Sequence, residues 1–147
     1  MTKILFPNEE VFDGKYFNIH QDWEVPIPGF FILASKRKLK SIGEFSLEEQ
    51  EEFINLLCKL RRVMKEVLKI ETVYFFQNED TSGNFHFWIF PRYKCMDEKF
   101  GIKVESVRPI MNYAKENMVN DVITKEVKIN VNIMKEYMKS SLFDNFN

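Results

Sequence analysis

The segment 84–92, Asn-Phe-His-Phe-Trp-Ile-Phe-Pro-Arg, constrains the fold of this chain more than any other stretch. In its first six residues, side chains with polar atoms alternate with purely apolar ones. Successive side chains of a β-strand point to opposite faces of the sheet, so Asn84, His86 and Trp88 should share one face. The opposite, apolar face carries Phe85, Phe87 and Ile89. We therefore predict a strand that separates a hydrophobic core from a polar site.

Composition indicates one folded domain without a strong charge bias. The chain has 147 residues, of which 45% are hydrophobic and 15% aromatic, so it can form a well-packed core and is not expected to be disordered. We predict a single domain over residues 1–147. The 21 basic and 22 acidic residues give a formal net charge of -1, so we expect neither nucleic acid nor a membrane as a partner.

The N-terminus and the cysteines bear on the compartment. The apolar run near the N-terminus is too short for a signal peptide, and no later segment approaches the length of a membrane span. We therefore expect a cytoplasmic protein. Cys58 and Cys95 lie outside any closely spaced metal motif, and the chain has only two histidines. Reduced thiols, no metal site and no cofactor are expected.

A long helix is predicted from about Ser46 to Lys69. Ser46 and Glu49 match a capping box, in which each side chain accepts a hydrogen bond from the other residue's backbone N–H. Apolar residues then recur every three or four positions and define a face to be buried: Phe53, Leu57, Leu60, Met64 and Val67. We expect this face to pack on the sheet side that carries Phe85.

Three more strands are predicted from β-branched and aromatic runs. The first covers residues 15–21 and follows an Asp-Gly turn signal, and the second covers residues 30–35 and follows a connector with two prolines. The third covers residues 72–77 and precedes the polar turn 78–83. These strands would form the sheet together with segment 84–92.

The C-terminal part is predicted to be a helical extension over about residues 104–140. Residues 92–101 have no clear periodicity and are predicted to form a loop. Ser106 is a candidate N-cap for a helix that turns four side chains inward: Ile110, Tyr113, Ala114 and Met118.

Asp121 is a candidate N-cap for a last helix that runs to about Ser140. Part of this segment alternates with a period of two, which suits a strand equally well; the alternating residues are Val127, Ile129, Val131 and Ile133. The apolar stripe continues through Tyr137 and Met138 with helical spacing, so we favour the helix.

Two segments resemble the histidine-triad nucleotide-binding proteins. In that family three histidines alternate with apolar residues before a Pro-Arg pair, as in segment 84–92, where only His86 is kept. Segment 25–37 resembles the family's earlier proline-glycine strand, so the resemblance covers about residues 15–93. It implies an α+β fold, with a meandering antiparallel β-sheet and one long helix packed on it. It also implies a homodimer.

The resemblance implies that His86 is a catalytic nucleophile that forms a covalent nucleotidyl-histidine. The substrate would be a purine nucleotide or dinucleotide with a phosphoanhydride or phosphoramidate bond, cleaved by a hydrolase or nucleotidyltransferase. Asn84 and Trp88 replace the outer two histidines, and an indole donates one hydrogen bond but supplies no proton. The alternative is a nucleotide-binding module without catalysis. If His86 has no functional role, we expect its ring to be hydrogen-bonded to a backbone carbonyl within the strand.

The resemblance also implies a nucleotide site. Asp22 would accept the ribose hydroxyls, or else form an Asx-turn before Trp23. Ile19, His20 and Trp23 would sandwich the base, unless they serve only packing. The phosphate-side candidates, which equally suit a turn, are Asn78, Ser82 and Gly83.

Overall fold

The structure, a computed structural model, describes residues 3–144. It contains one antiparallel sheet of five strands in the order β1-β2-β3-β5-β4. The strands are β1 (Glu10–Asp13), β2 (Phe17–Gln21), β3 (Phe31–Ser35), β4 (Thr72–Phe76) and β5 (His86–Arg92). The helices are α1 (Leu47–Glu66), α2 (Lys94–Phe100), α3 (Val107–Asn117) and α4 (Asp121–Lys139). The predicted α+β class with an antiparallel sheet is confirmed.

Helix α1 begins with the predicted capping box. Ser46 Oγ accepts from the Glu49 N–H at 3.1 Å, and Glu49 Oε1 accepts from the Ser46 N–H at 2.9 Å. The helix ends at Glu66 rather than Lys69, which has a left-handed φ of 59° and turns the chain toward β4. The apolar residues buried on α1 are Phe53, Leu56, Leu60, Val63 and Met64. Leu57 and Val67, expected on this face, are only partly buried.

Both faces of the sheet are covered, but unequally. Helix α1 covers the face of Phe85 and Ile89, as predicted, and α4 adds Val127 and Val131 to the same core. The opposite face is covered by α2 and α3 near Phe90, where Met96, Ile110 and Ala114 are buried. The other end of that face, around His86, is not under these helices.

The prediction of a loop over residues 92–101 is wrong, because residues 94–100 form α2. This short helix has no apolar stripe of its own and is fixed by the buried Arg92. The Arg92 guanidinium donates to Asp97 Oδ1 at 2.5 Å and to the Gly101 carbonyl at 2.7 Å. It also donates to Ser106 Oγ at 2.8 Å, and Ser106 makes no side-chain cap for α3. Ser106 is thus the N-cap residue of α3, as predicted, but its side chain binds Arg92 and does not cap the helix.

Helix α4 forms as favoured, and the strand alternative is excluded. Its N-cap is Asn120, one residue before the predicted Asp121: Asn120 Oδ1 accepts from the Ile123 N–H at 2.9 Å. Its buried residues have helical spacing and are Val127, Val131, Met134 and Met138. None of the helices within residues 3–144 is both long and apolar enough to span a membrane.

Strand β1 was not predicted. It pairs with β2 along an irregular register, in which Glu10 lies opposite His20 and Phe12 lies opposite Ile19. Val11 is therefore an extra residue, a β-bulge, between the two pairs. This bulge determines which side chains of β1 reach the face of the sheet around His86.

Candidate functional site

Four rings form a continuous row on the face of the sheet that α2 and α3 leave uncovered. His20 on β2 lies 4.1 Å from Trp23, Trp23 lies 5.4 Å from His86, and His86 lies 5.7 Å from Trp88, all between ring centroids. His86 and Trp88 share this face, as their alternation predicts. The row therefore joins β2, the turn after it and β5.

Two cavities adjoin this row. The first has a volume of about 500 Å³, and its lining includes His20, Trp23 and His86. The second has a volume of about 410 Å³, and its lining includes Asp22, Trp23, His86 and Trp88. Trp23 and His86 thus line both cavities. A ligand that fills both spaces would pass over the His86 ring.

Half-buried His86 has a lowered pKa. Burial is the larger influence and lowers the pKa, while the Asp22 carboxylate opposes it. The His86 imidazole is therefore mainly neutral at pH 7, which leaves a lone pair on one nitrogen. No hydrogen bond from the rest of the described chain occupies this ring, so the carbonyl-bonded alternative for His86 is not what the structure has.

His20 is held more firmly than His86. Its Nδ1 lies 3.0 Å from the Gln21 carbonyl oxygen, which can only accept, so Nδ1 carries the proton. Burial lowers the pKa of His20 to about 4, with the Gln21 hydrogen bond opposing and the nearby His86 adding to the lowering. His20 is therefore a neutral aromatic wall of the first cavity.

Asp22 forms the Asx-turn that was considered as the alternative to its ribose-binding role. Its Oδ1 accepts from the Glu24 N–H at 2.9 Å and from the Val25 N–H at 2.8 Å, which forms the Asx-turn. Burial raises the pKa of Asp22, and these two hydrogen bonds and one from Trp88 oppose the rise. Asp22 also lines the second cavity, beside His86.

Asn84 and Trp88, which replace the two outer histidines of the resemblance, make contacts that stabilise the fold. Asn84 lies just before β5, and its Nδ2 donates to the carbonyls of Ser35 at 3.1 Å and Lys36 at 3.3 Å. Trp88 stacks on Phe76, with ring centroids 5.5 Å apart and an interplanar angle of 20°. Both side chains line a cavity, Asn84 the first and Trp88 the second.

The structure does not bring all predicted site residues together. Ile19 has no exposed surface and packs in the core on the α1 face, so it is not brought to the base site. Ser82 lines the second cavity and Gly83 the first, both exposed, and Gly83 has a φ of 95°. Asn78 lines neither cavity, and its carbonyl accepts from the Gln77 side chain at 2.7 Å.

The N-terminal segment contributes a wall that the sequence analysis missed. This segment adds Phe6, Pro7, Glu9 and Glu10 to the first cavity. Three residues of the sheet also line it without having been predicted there: Asn18, Ala34 and Ser35. The backbone N–H groups of Leu5 and Phe6 both donate to the Trp23 carbonyl, at 2.7 and 3.1 Å, and so fix this segment beside the ring row. The Asp-Gly turn signal could have revealed it, since a hairpin turn needs a strand on both sides.

Metal ligands are not clustered at the site. Within residues 3–144, no group of three or more His, Cys, Asp and Glu residues could hold a metal ion. Cys58 and Cys95 are free and exposed.

The comparison with known proteins identifies the fold. No protein-family model and no curated protein match the sequence. Among solved structures, a HIT-like protein from Bartonella henselae involved in cell-cycle regulation matches with 15% identity and a TM-score of 0.60, covering 90% of this chain and 88% of that one. A zinc-bound histidine triad family protein from Mycobacterium smegmatis matches with 12% identity and a TM-score of 0.60, covering 90% and 85%.

A third match is the diadenosine triphosphate hydrolase of Plasmodium falciparum, in complex with cyclomarin A, with 17% identity and a TM-score of 0.57, covering 94% of this chain and 84% of that one. The five-stranded sheet and the long helix α1 place the chain in a class of α+β proteins, and the candidate site lies on the strands of the sheet. The chain has the histidine-triad fold. The likeness extends well beyond the residues 15–93 that carry the sequence resemblance.

Proposed function

We propose that this protein binds a purine nucleotide or dinucleotide and cleaves it through a covalent intermediate on His86. The observation that carries the proposal is the position of His86 at the border of two cavities, half-buried and with a lowered pKa. A neutral imidazole can attack phosphorus, and a cavity on each side leaves room for the nucleoside and for the leaving group. The bond cleaved is a nucleotidyl phosphoanhydride or phosphoramidate.

Other residues of the ring row would orient the nucleotide. The aromatic faces of His20 and Trp23 suit a purine base in the first cavity. Asp22 lies beside His86 and can accept from ribose hydroxyls, although its Oδ1 already accepts two backbone bonds. Exposed Ser82 and the Gly83 N–H offer donors to phosphate oxygens from the loop before β5.

In the proposed reaction the neutral His86 nitrogen attacks the α-phosphorus, and the bond from phosphorus to the leaving group breaks. Water then hydrolyses the nucleotidyl-histidine, or an acceptor takes up the nucleotidyl group. Because Trp88 cannot release a proton, leaving groups that are already acidic should react fastest.

The experiment is intact-protein mass spectrometry after mixing with an adenylylated substrate and quenching without acid, because phosphoramidates are acid-labile. We expect a nucleotidyl adduct on wild type that maps to His86, and none on His86→Ala. Glu51→Gln, a change on the exposed side of α1, is the control and should keep the adduct. An adduct that persists on His86→Ala would rule out His86 as the nucleophile.

The second candidate is a nucleotide-binding module without catalysis. It is favoured by the two outer triad positions, since Asn84 is tied to backbone carbonyls and Trp88 is stacked on Phe76. Neither residue supplies a proton to a leaving group. Nucleotide binding with neither an adduct nor turnover would decide for this candidate.

We also propose that the protein is a homodimer joined at β4. This strand is one edge of the sheet, and an edge strand offers unpaired backbone groups to a second chain. Phe75 on β4 is 48% exposed and Ile54 on α1 is 51% exposed, which adds apolar area for an interface.

For the compartment we propose the cytoplasm, where the free thiols of Cys58 and Cys95 would stay reduced. Localisation of the tagged protein to another compartment would contradict this.

A further inference from the structure

The β-bulge in β1 brings the side chain of Glu10 to the ring row. Glu10 lies directly opposite His20, and directly opposed residues of antiparallel strands project to the same face. The extra residue, Val11, is 2% exposed and packs in the core on the other face. A bulge of this kind re-aims a side chain, and here it places a carboxylate beside the His20 ring.

Glu10 is the carboxylate of the first cavity that remains available. Its neighbour Glu9 is tied to α4, because the Lys128 ammonium lies 2.9 Å from Glu9 Oε1. Within residues 3–144, the Glu10 side chain has no ion pair or hydrogen bond, and it is exposed. Its two oxygens are therefore free to accept hydrogen bonds from a ligand.

Further acceptors lie around Glu10 in this cavity. Asn18 lines the cavity next to His20, and its Oδ1 is buried without a hydrogen-bond partner. The Asn84 amide nitrogen is already used by the carbonyls of Ser35 and Lys36, which leaves its oxygen. Neither Lys nor Arg is among the described residues that line the cavity. A ligand group that fits here is flat, to match the rings, and rich in donors.

We propose that Glu10 selects the base of the nucleotide and that the first cavity prefers guanine. The N1–H and the N2 amino group of guanine lie side by side and can donate to the two oxygens of one carboxylate. Adenine has an acceptor at N1 beside its amino group, so one carboxylate oxygen would face a lone pair. Hypoxanthine keeps the N1–H but lacks the amino group and should rank between them. The inference rests on the proposed function, since it requires a nucleotide at His86.

The test is isothermal titration calorimetry of the full-length protein with GMP, IMP and AMP. For wild type we expect GMP to bind at least about tenfold more tightly than AMP, the size typical of a two-bond contact to a base, with IMP between. In Glu10→Gln the GMP preference should fall to within about threefold, because an amide offers one acceptor in place of two. Glu51→Gln, which removes the same charge away from the cavities, should leave the preference unchanged.

The variants separate recognition from a simple charge effect. Removal of a negative charge near a nucleotide would strengthen the binding of all three ligands alike, whereas loss of base recognition weakens GMP binding and spares AMP binding. Wild-type affinity for AMP equal to or above that for GMP would overturn the inference while the proposed function stands. An equal change for all three nucleotides in Glu10→Gln would overturn it too. If none of the three binds although the His86 adduct forms, the inference fails and the proposed function stands; if neither binding nor the adduct is found, both fail.

Discussion

The proposed reaction depends on one histidine, His86, because Asn84 and Trp88 stand where the resemblance to the histidine-triad proteins implies two more. His86 is neutral near pH 7 because it is half-buried, so it does not need a second imidazole to become a nucleophile. The proposed reaction lacks a general acid at these two positions, since neither Asn84 nor Trp88 has a proton to give. In the proposed reaction we therefore expect the leaving group to determine the rate.

Restoring an imidazole at position 88 should accelerate the slow substrates. In Trp88→His we expect single-turnover rates for poor leaving groups to rise by about 10²–10⁴-fold, the usual contribution of a general acid, and rates for acidic leaving groups to change little. The measurement is a series of adenosine phosphoesters and anhydrides of graded leaving-group pKa. Trp88→Phe, which keeps a ring against Phe76, is the control and should leave the steep dependence in place. A flat dependence in wild type would contradict this role of Trp88.

Buried His20 should make the stability depend on pH. Its pKa of about 4 in the folded state lies below its usual 6.5, so the unfolded state binds the proton first as the pH falls. Its contribution is fully present above pH 6.5 and is lost progressively down to about pH 4, by at most about 1.4 kcal/mol per pH unit. Urea unfolding at several pH values should show a shallower dependence for His20→Phe than for wild type. Identical slopes would show that His20 does not titrate in this way.

At the scale of elements, α1 supplies the layer that holds β5 in place. Its Leu60 has no exposed surface, and it lies in the same core as Phe85 and Ile89. These two residues alternate with His86 and Trp88, so packing on one face of β5 determines the position of the site on the other.

Leu60→Ala should destabilise the fold by about 2–5 kcal/mol, because it leaves a cavity in a tightly packed core. Chemical denaturation followed by circular dichroism gives the free energy of unfolding. Leu47→Ala is the control, since Leu47 is 78% exposed in the first turn of the same helix, and it should cost little. A loss below about 0.5 kcal/mol for Leu60→Ala would contradict the packing of this face.

Sequence patterns predicted the elements whose stabilising residues lie within their own segment. The elements that were missed depend on contacts with residues elsewhere in the chain. The capping box and apolar stripe of α1 lie within its own sequence, as does the alternation that brings His86 and Trp88 to one face. Helix α2 depends on the side chain of Arg92, which lies outside it, so no periodicity within 94–100 could predict it.

The burial of Ile19 could have been predicted from the sequence. Ile19 and His20 are neighbours in a strand and must point to opposite faces, so the two could not both contact one base. Glu10 differs, because its face depends on a bulge in the pairing of β1 with β2. Strand periodicity within β1 alone does not report that irregularity.

At the scale of the whole molecule, the two edges of the sheet have different surroundings. Strand β1 contacts α4, whereas β4 ends the sheet with Phe75 exposed. Two rings of the row, His86 and Trp88, lie on β5, and the edge strand β4 pairs directly with β5. Assembly at β4 would therefore affect β5, the strand that positions His86.

The proposed dimer should dissociate when a charge is placed on β4. Light scattering after gel filtration should give about 35 kDa for wild type, twice the chain mass of 17.7 kDa, and about half that for Phe75→Lys. Val122→Lys, at a position on α4 that is 74% exposed, is the control and should remain a dimer. A wild-type protein that elutes as a monomer at micromolar concentration would exclude this interface.

The bulge in β1 also affects how this chain can be aligned with others of the same fold. An alignment without a gap treats β1 as evenly paired and, counting back from Phe12 opposite Ile19, assigns Val11 as the neighbour of His20. Val11 lies in the core, so such an alignment would score an apolar residue at a position that a carboxylate occupies in space. Relatives should therefore be matched through this strand by superposed coordinates, with an inserted residue at position 11.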